Sequence, residues 1–317
     1  MSSIDGHDSL RHALQSAVGG QYEIVRLLGR GGMGAVYLAR DTLERLVAIK
    51  VILPHAFGVP GARERFRKEM RTVARFTHPN IIPIYDSGQL EELDYFVMMY
   101  VSGDDIADRL RQEGRMPAEE VRRVLIDLAD ALYYAHGLGV IHRDVKPANV
   151  MIDDMTGRVF LTDFGVAKTV NSGNTTGTVA GTLGYMPPEA INGARIDHRA
   201  DIYSLGVLGY EMLTGRRPFK ADHAVQLMHH TINTPPPNLT SFAPDVPPDL
   251  EAVVMRCLAK DPNDRARDAR QLQSALGVKE TDEATMPEDL RDMAGFGSWA
   301  VLWATVWGTF GVLNLGE

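Results

Sequence analysis

The 317 residues are 44% hydrophobic and 23% charged, an ordinary globular composition with ample core for one large or two medium domains. The formal net charge of −8 excludes the basic surplus expected of a nucleic-acid binder. The single cysteine, Cys257, excludes an intrachain disulfide, suits a reducing cytosol and reads as a small buried hydrophobe.

The first fifteen residues carry Asp5, Asp8, Arg11 and two histidines and hold no apolar signal-peptide core, which places the folded portion in the cytoplasm. A short helix over 8–17 is expected to break at Gly19-Gly20. From Tyr22 to Val51 the pattern alternates and is rich in β-branched and aromatic residues, which predicts three antiparallel strands. A helix follows over 61–76, with the apolar stripe Phe66, Met70, Val73 and Phe76, and the run Thr77-His78-Pro79-Asn80 ends it. Two further strands are expected at 81–88 and 94–100. Beyond Gly103 the chain reads as mostly helical, with stripes at 117–138, 201–213 and 248–259, and the proline-rich stretch 235–248 reads as a rigid loop. A small β-rich lobe followed by a larger helical lobe is α+β segregation.

Gly29-Arg30-Gly31-Gly32-Met33-Gly34-Ala35-Val36 matches G-x-G-x-x-G-x-V. Glycines let backbone N–H groups approach phosphate oxygens where a side chain would collide. Alone the signal is weak, because with 30 glycines such spacing arises by chance in about one chain in four. A dinucleotide-binding loop would run into a helix, whereas here a strand pattern follows, and no G-K-[ST] exists for a Walker A loop.

His142-Arg143-Asp144-Val145-Lys146-Pro147-Ala148-Asn149 is far more specific, arising by chance about once in 10⁵ chains of this length. Asp163-Phe164-Gly165 follows it, and Val47-Ala48-Ile49-Lys50 lies just after the glycine loop. With these motifs in this order, the chain from about Tyr22 to Leu276 resembles a eukaryotic-type protein kinase, most like the bacterial serine/threonine kinases.

That resemblance implies a two-lobed kinase fold, with an extension at 1–21 and a kinase domain at 22–277 divided into lobes 22–101 and 102–277. It implies ATP with Mg²⁺ or Mn²⁺, protein substrates, and transfer of the γ-phosphoryl group to serine or threonine hydroxyls. Gly29, Gly31, Gly34, Val36 and Ala48 would frame the nucleotide, with Met98 as gatekeeper and Met99 to Val101 as hinge. Lys50 would hold the α- and β-phosphates, paired with Glu69 on the following helix or, as the alternative, Glu64. Asn149 and Asp163 would ligate the metal, Asp144 would take the hydroxyl proton and Lys146 would steady the γ-phosphoryl group. For Asp105 a ribose contact and simple exposure both remain open. Glu189 would pair with Arg265, and Asp201 is a further structural residue. Two departures stand out: Pro187-Pro188-Glu189 replaces Ala-Pro-Glu, and Tyr203 replaces a common tryptophan.

Between Asp163 and Glu189 lie Thr175, Thr176 and Thr178. A phosphothreonine bound by Arg143 would order that loop, with Thr176 first and Thr178 second as autophosphorylation sites. Plain solvation of the three is the alternative. Modification in trans would need transient pairs of chains. Residues 278–292 read as a polar linker. Residues 293–316 carry no charge and hold Trp299, Trp303 and Trp307 on one helical face. As a helix they would span about 36 Å, enough for a membrane anchor. Five glycines weigh against that reading, and a helix docked on a surface or a loose chain end are the alternatives.

Overall fold

In the computed structural model the described residues are 5–32, 34–57, 61–90, 93–164 and 183–277. All belong to one compact unit, Met1–Gly277. The segments 278–292 and 293–316, and the threonines Thr175, Thr176 and Thr178, lie outside the described residues. Among the described residues no helix is long and apolar enough to cross a membrane.

The N-terminal lobe is a five-stranded antiparallel sheet of β1 (Tyr22–Gly31), β2 (Gly34–Asp41), β3 (Leu46–Ile52), β4 (Ile84–Leu90) and β5 (Leu93–Met99) in the order β1-β2-β3-β5-β4. Alternation buries Ile49, Val51 and Val97 in one core and leaves the opposite face for the cleft. Helix α1 (Asp5–Val18) extends that core with Leu14 and Val18, which are 0% and 3% exposed. Helix α2 (Ala62–Val73) packs Phe66 and Met70 against Phe96 and Ile52. It stops at Val73, three residues before the expected end, although Phe76 is still buried. The strand expected from 81 begins at Ile84, since Pro83 has no N–H for a ladder; Ile81 instead forms a lone bridge to Leu161.

The second lobe contains α3 (Ile106–Glu113), α4 (Ala118–Gly137), the hairpin β6 (Val150–Ile152) with β7 (Val159–Leu161), α5 (Pro188–Ile191), α6 (Arg199–Thr214), α7 (Ala224–Asn233), α8 (Pro248–Cys257) and α9 (Ala269–Ala275). The sequence suggests a helix with an apolar stripe over 201–213. Instead α6 is buried all round, except for half-buried Arg199 and Glu211. Glycines permit this: a Cβ on Gly206 would lie 2.5 Å from that of Cys257. Burial pushes the Cys257 thiol up to about 12.

Candidate active site

The glycine loop is the turn of the β1–β2 hairpin, in which Gly29 faces Val36 and Gly31 faces Gly34. Its glycines serve two ends. A Cβ on Gly29 or Gly31 would meet nothing within 4 Å, so these positions stand open. One on Gly34 would lie 1.8 Å from the Val51 carbonyl oxygen, so Gly34 lets the start of β2 lie close against the β3 backbone. Reading all three as phosphate-approach residues overlooked that packing role.

Beneath this loop lies a cleft of about 410 Å³. It brings together Gly29, Val36, Ala48, Lys50, Met98, Met99, Val101, Asp105 and Asp163, and adds Arg26, Leu28, Ile82 and Met151, which sequence reasoning did not single out. Met98 also walls off a smaller cavity of about 30 Å³ lined by Phe66, Met70, Phe96 and Phe164. Asp105 is the N-cap of α3: its Oδ1 accepts from the Asp108 N–H at 2.8 Å. It is half-buried, and burial raises its carboxyl above the usual range.

Lys50 is placed by β3, between Val36 on β2 and Phe96 on β5. Its Nζ lies 2.5 Å from Asp163 Oδ2. Sequence reasoning offered Glu69 and Glu64 as its partners, but in this structure its ion pair is with Asp163, and both glutamates stand on the exposed side of α2. Burial alone would raise the Asp163 carboxyl. The Lys50 charge and hydrogen bond outweigh it and hold the group below the ordinary carboxylate value. Asp163 has φ +63°, a left-handed backbone that costs about 1–3 kcal/mol in a residue with a side chain.

The catalytic-loop motif converges on Asp144, which is 7% exposed. Lys146 Nζ donates to its Oδ2 at 2.7 Å, and Asn149 Nδ2 donates to the same oxygen at 2.9 Å and to the Asp144 carbonyl at 2.8 Å. The other carboxylate oxygen, Oδ1, is buried with no protein partner. Asp201 anchors the loop from α6. Its Oδ2 accepts the His142 N–H at 2.8 Å and its Oδ1 the Arg143 N–H at 2.7 Å, while Arg143 holds φ +65°. His136 Nε2 meets Asp201 Oδ2 at 2.8 Å, a contact 65 residues apart that no local pattern announces. The His142 ring accepts the Asp144 N–H at Nδ1, which leaves Nε2–H to donate to the Thr162 carbonyl at 2.9 Å. It also packs 4.6 Å from the Phe164 ring.

Magnesium takes hard oxygen ligands and keeps several positions for phosphate and water. The Asp163 carboxylate and the Asn149 carbonyl oxygen, whose amide nitrogen is committed to Asp144, fit such an ion. Among the described residues no group of three or more His, Cys, Asp or Glu side chains could hold a metal without further ligands.

Below the cleft, Glu189 and Arg265 form a two-pronged ion pair with both N–O distances 2.8 Å, and Arg265 is 1% exposed. The Arg265 guanidinium lies 4.9 Å from the Tyr203 ring centroid and also donates to the carbonyls of Ala259 and Arg199. Tyr185 donates its hydroxyl to Glu211, and Ser204 donates to the Tyr185 carbonyl at 2.9 Å, fixing the chain just before Glu189.

Residues 22–275 match the family described as the protein kinase domain. The chain belongs to the protein kinase family. Over 265 residues the kinase is 38% identical to the probable serine/threonine-protein kinase SCO3848 of Streptomyces coelicolor, a match covering 81% of this chain and 39% of that protein. It is 40% identical over 265 residues to the serine/threonine-protein kinase PknB of Mycobacterium tuberculosis, covering 81% and 42%. Among solved structures, the kinase domain of Mycobacterium tuberculosis PknI superposes with a TM-score of 0.65 at 32% identity, covering 81% of this chain and 95% of that one. The kinase thus spans about two fifths of the length of the curated relatives it matches.

Proposed function

We propose that this kinase transfers the γ-phosphoryl group of ATP to serine and threonine hydroxyls of protein substrates. The observation that carries the reading is the Asp144 carboxylate: one oxygen is fixed by Lys146 and Asn149, and the other is buried, partnerless and able to accept a proton. Adenine would enter between Val36 and Ala48 above and Met151 below, with Met99 and Val101 offering hinge backbone. Lys50 exchanges Asp163 for the α- and β-phosphates, which frees the Asp163 carboxylate. Magnesium held by Asp163 and Asn149 would neutralise charge on the phosphate oxygens. The substrate hydroxyl oxygen bonds to the γ-phosphorus as the bond to the β,γ-bridging oxygen breaks. Its proton passes to Asp144 Oδ1, ADP leaves, and Lys146 offsets charge on the transferred group.

The matching relatives named as serine/threonine kinases support the residue class. Autophosphorylation at Thr176, Thr178 or Thr175, read out by the exposed Arg143, is part of the same proposal, as is transient pairing of two chains. The uncharged, tryptophan-bearing stretch 293–316 supports a membrane anchor joined through the linker 278–292 to a cytoplasmic kinase domain. Incubating the full chain with Mg·ATP and mapping phosphosites, beside an Asp144→Asn control, tests the activity. Phosphate on the parent alone is expected, and none on the parent or on generic protein substrates would sink the proposal. Full recovery of the protein in the detergent-free soluble fraction would remove the anchor.

A further inference from the structure

Helix α1 lies outside the 22–275 match, yet its Leu14 and Val18 are part of the lobe's core. Its polar side chains grip one short stretch of β1. Gln15 Nε2 donates to the Tyr22 carbonyl at 3.0 Å, and Gln15 Oε1 accepts the Ile24 N–H at 2.7 Å. Arg11 Nη2 donates to the carbonyls of Ile24 at 3.2 Å and Val25 at 3.4 Å. Strand β1 is the end of the sheet, so these backbone groups face away from β2. The carboxamide of Gln15 replaces the missing neighbouring strand, giving and receiving one hydrogen bond as a strand would.

The grip falls on a β-bulge. Ile24 pairs with Ala39 and Arg26 with Leu38, so Val25 is an extra residue. One extra residue reverses the side-chain alternation beyond it. Ile24 and Leu27 therefore both face the core, while Arg26 lines the nucleotide cleft beside Leu28, the surplus residue of a second bulge in which Leu27 pairs with Tyr37 and Gly29 with Val36. Without the Val25 bulge, residue 26 would share the face of Ile24.

We infer that α1 sets nucleotide affinity: Arg11 and Gln15 are positioning residues that hold the Val25 bulge and thereby keep Arg26, Leu28 and the glycine loop in place over the nucleotide. The inference rests on reading the 410 Å³ cleft as the ATP site. Neither side chain touches the cleft, and both Leu14 and Val18 remain in point variants, so the lobe keeps its core.

The test compares full-length parent, Arg11→Ala/Gln15→Ala, Gln15→Glu and the outward-facing control Ser16→Ala. Calorimetric Kd for ADP is measured along with KM for ATP, KM for a protein substrate and kcat. The double variant is expected to raise Kd and KM for the nucleotide by about three- to tenfold, with kcat and the protein-substrate KM within about twofold. Gln15→Glu, which keeps the acceptor for Ile24 and loses the donor to Tyr22, should fall between. Amide exchange at Ile24 should quicken in step. A folded double variant with parental nucleotide affinity overturns the inference, whatever its melting temperature. A parent that fails to bind ADP overturns the cleft reading instead.

Discussion

Lys50 and Asp163, 113 residues apart in sequence, meet at 2.5 Å across the cleft, so the cation expected to hold phosphate and the carboxylate expected to hold metal neutralise each other. Nucleotide and metal must arrive with enough compensating charge to part them. Lys50→Met is therefore expected to weaken Mg·ATP binding while leaving binding of free Mg²⁺ at Asp163 no weaker. Calorimetry with and without the metal separates the two effects, and unchanged nucleotide affinity would contradict the role of Lys50.

Asp144→Asn removes the proton acceptor but keeps a side-chain oxygen for Lys146. It should lower kcat by about 10²- to 10⁴-fold with little change in KM for ATP. Steady-state kinetics on a protein substrate check this, and a retained kcat would remove Asp144 from the chemistry.

Asp201 gives the site a defined acid response. Burial pushes its carboxyl up, but the His136 hydrogen bond and charge, then His142 and the Arg143 N–H, outweigh burial and hold it below the ordinary value. A group depressed in the folded state stabilises the fold above its unfolded value of about 3.9 and loses that contribution as pH falls through the folded value. Asp201→Asn should lower stability near neutrality and flatten the fall of the melting temperature below about pH 4. Parallel acid limbs for parent and variant would contradict this.

Glu189→Ala leaves the Arg265 guanidinium buried without its carboxylate and should cost about 3–5 kcal/mol by denaturant unfolding. Arg265→Lys keeps the charge but not the two-pronged geometry, so it should recover only part of that loss. Equal stability of all three proteins would mean that the pair is not holding this part of the lobe.

Met98→Ala should join the 30 Å³ cavity to the main cleft. The variant is expected to use an ATP analogue carrying a bulky N6 substituent that the parent refuses. Competition assays with both nucleotides decide it.

The parts of this kinase legible from sequence are those set by local spacing. The strand alternation of 22–51 and the stripe of Phe66, Met70 and Val73 needed only periods of 2.0 and 3.6, and the motif around Asp144 needed only a string. What stayed hidden depends on residues far apart. Nothing near Lys50 says that its ion pair will be with Asp163, and nothing near His136 points to Asp201. The strands β6 and β7, three residues each, are too short to show a period. The Val25 bulge was invisible because one surplus residue in a strand looks like imperfect alternation. Gly34 shows the converse limit: the motif located it, but only the close approach of β2 to the β3 backbone gives the reason.

The buried Cys257, pressed against Gly206, makes this chain a ready vehicle for site-directed labelling. Its only native thiol is inert while the fold is intact. A cysteine placed at exposed Lys68 on α2 would be the sole reactive sulfur, with Cys257 left in place. A spin label or dye there would report the helix carrying Glu69 as nucleotide is added, and the same thiol titration would score unfolding when Cys257 finally reacts.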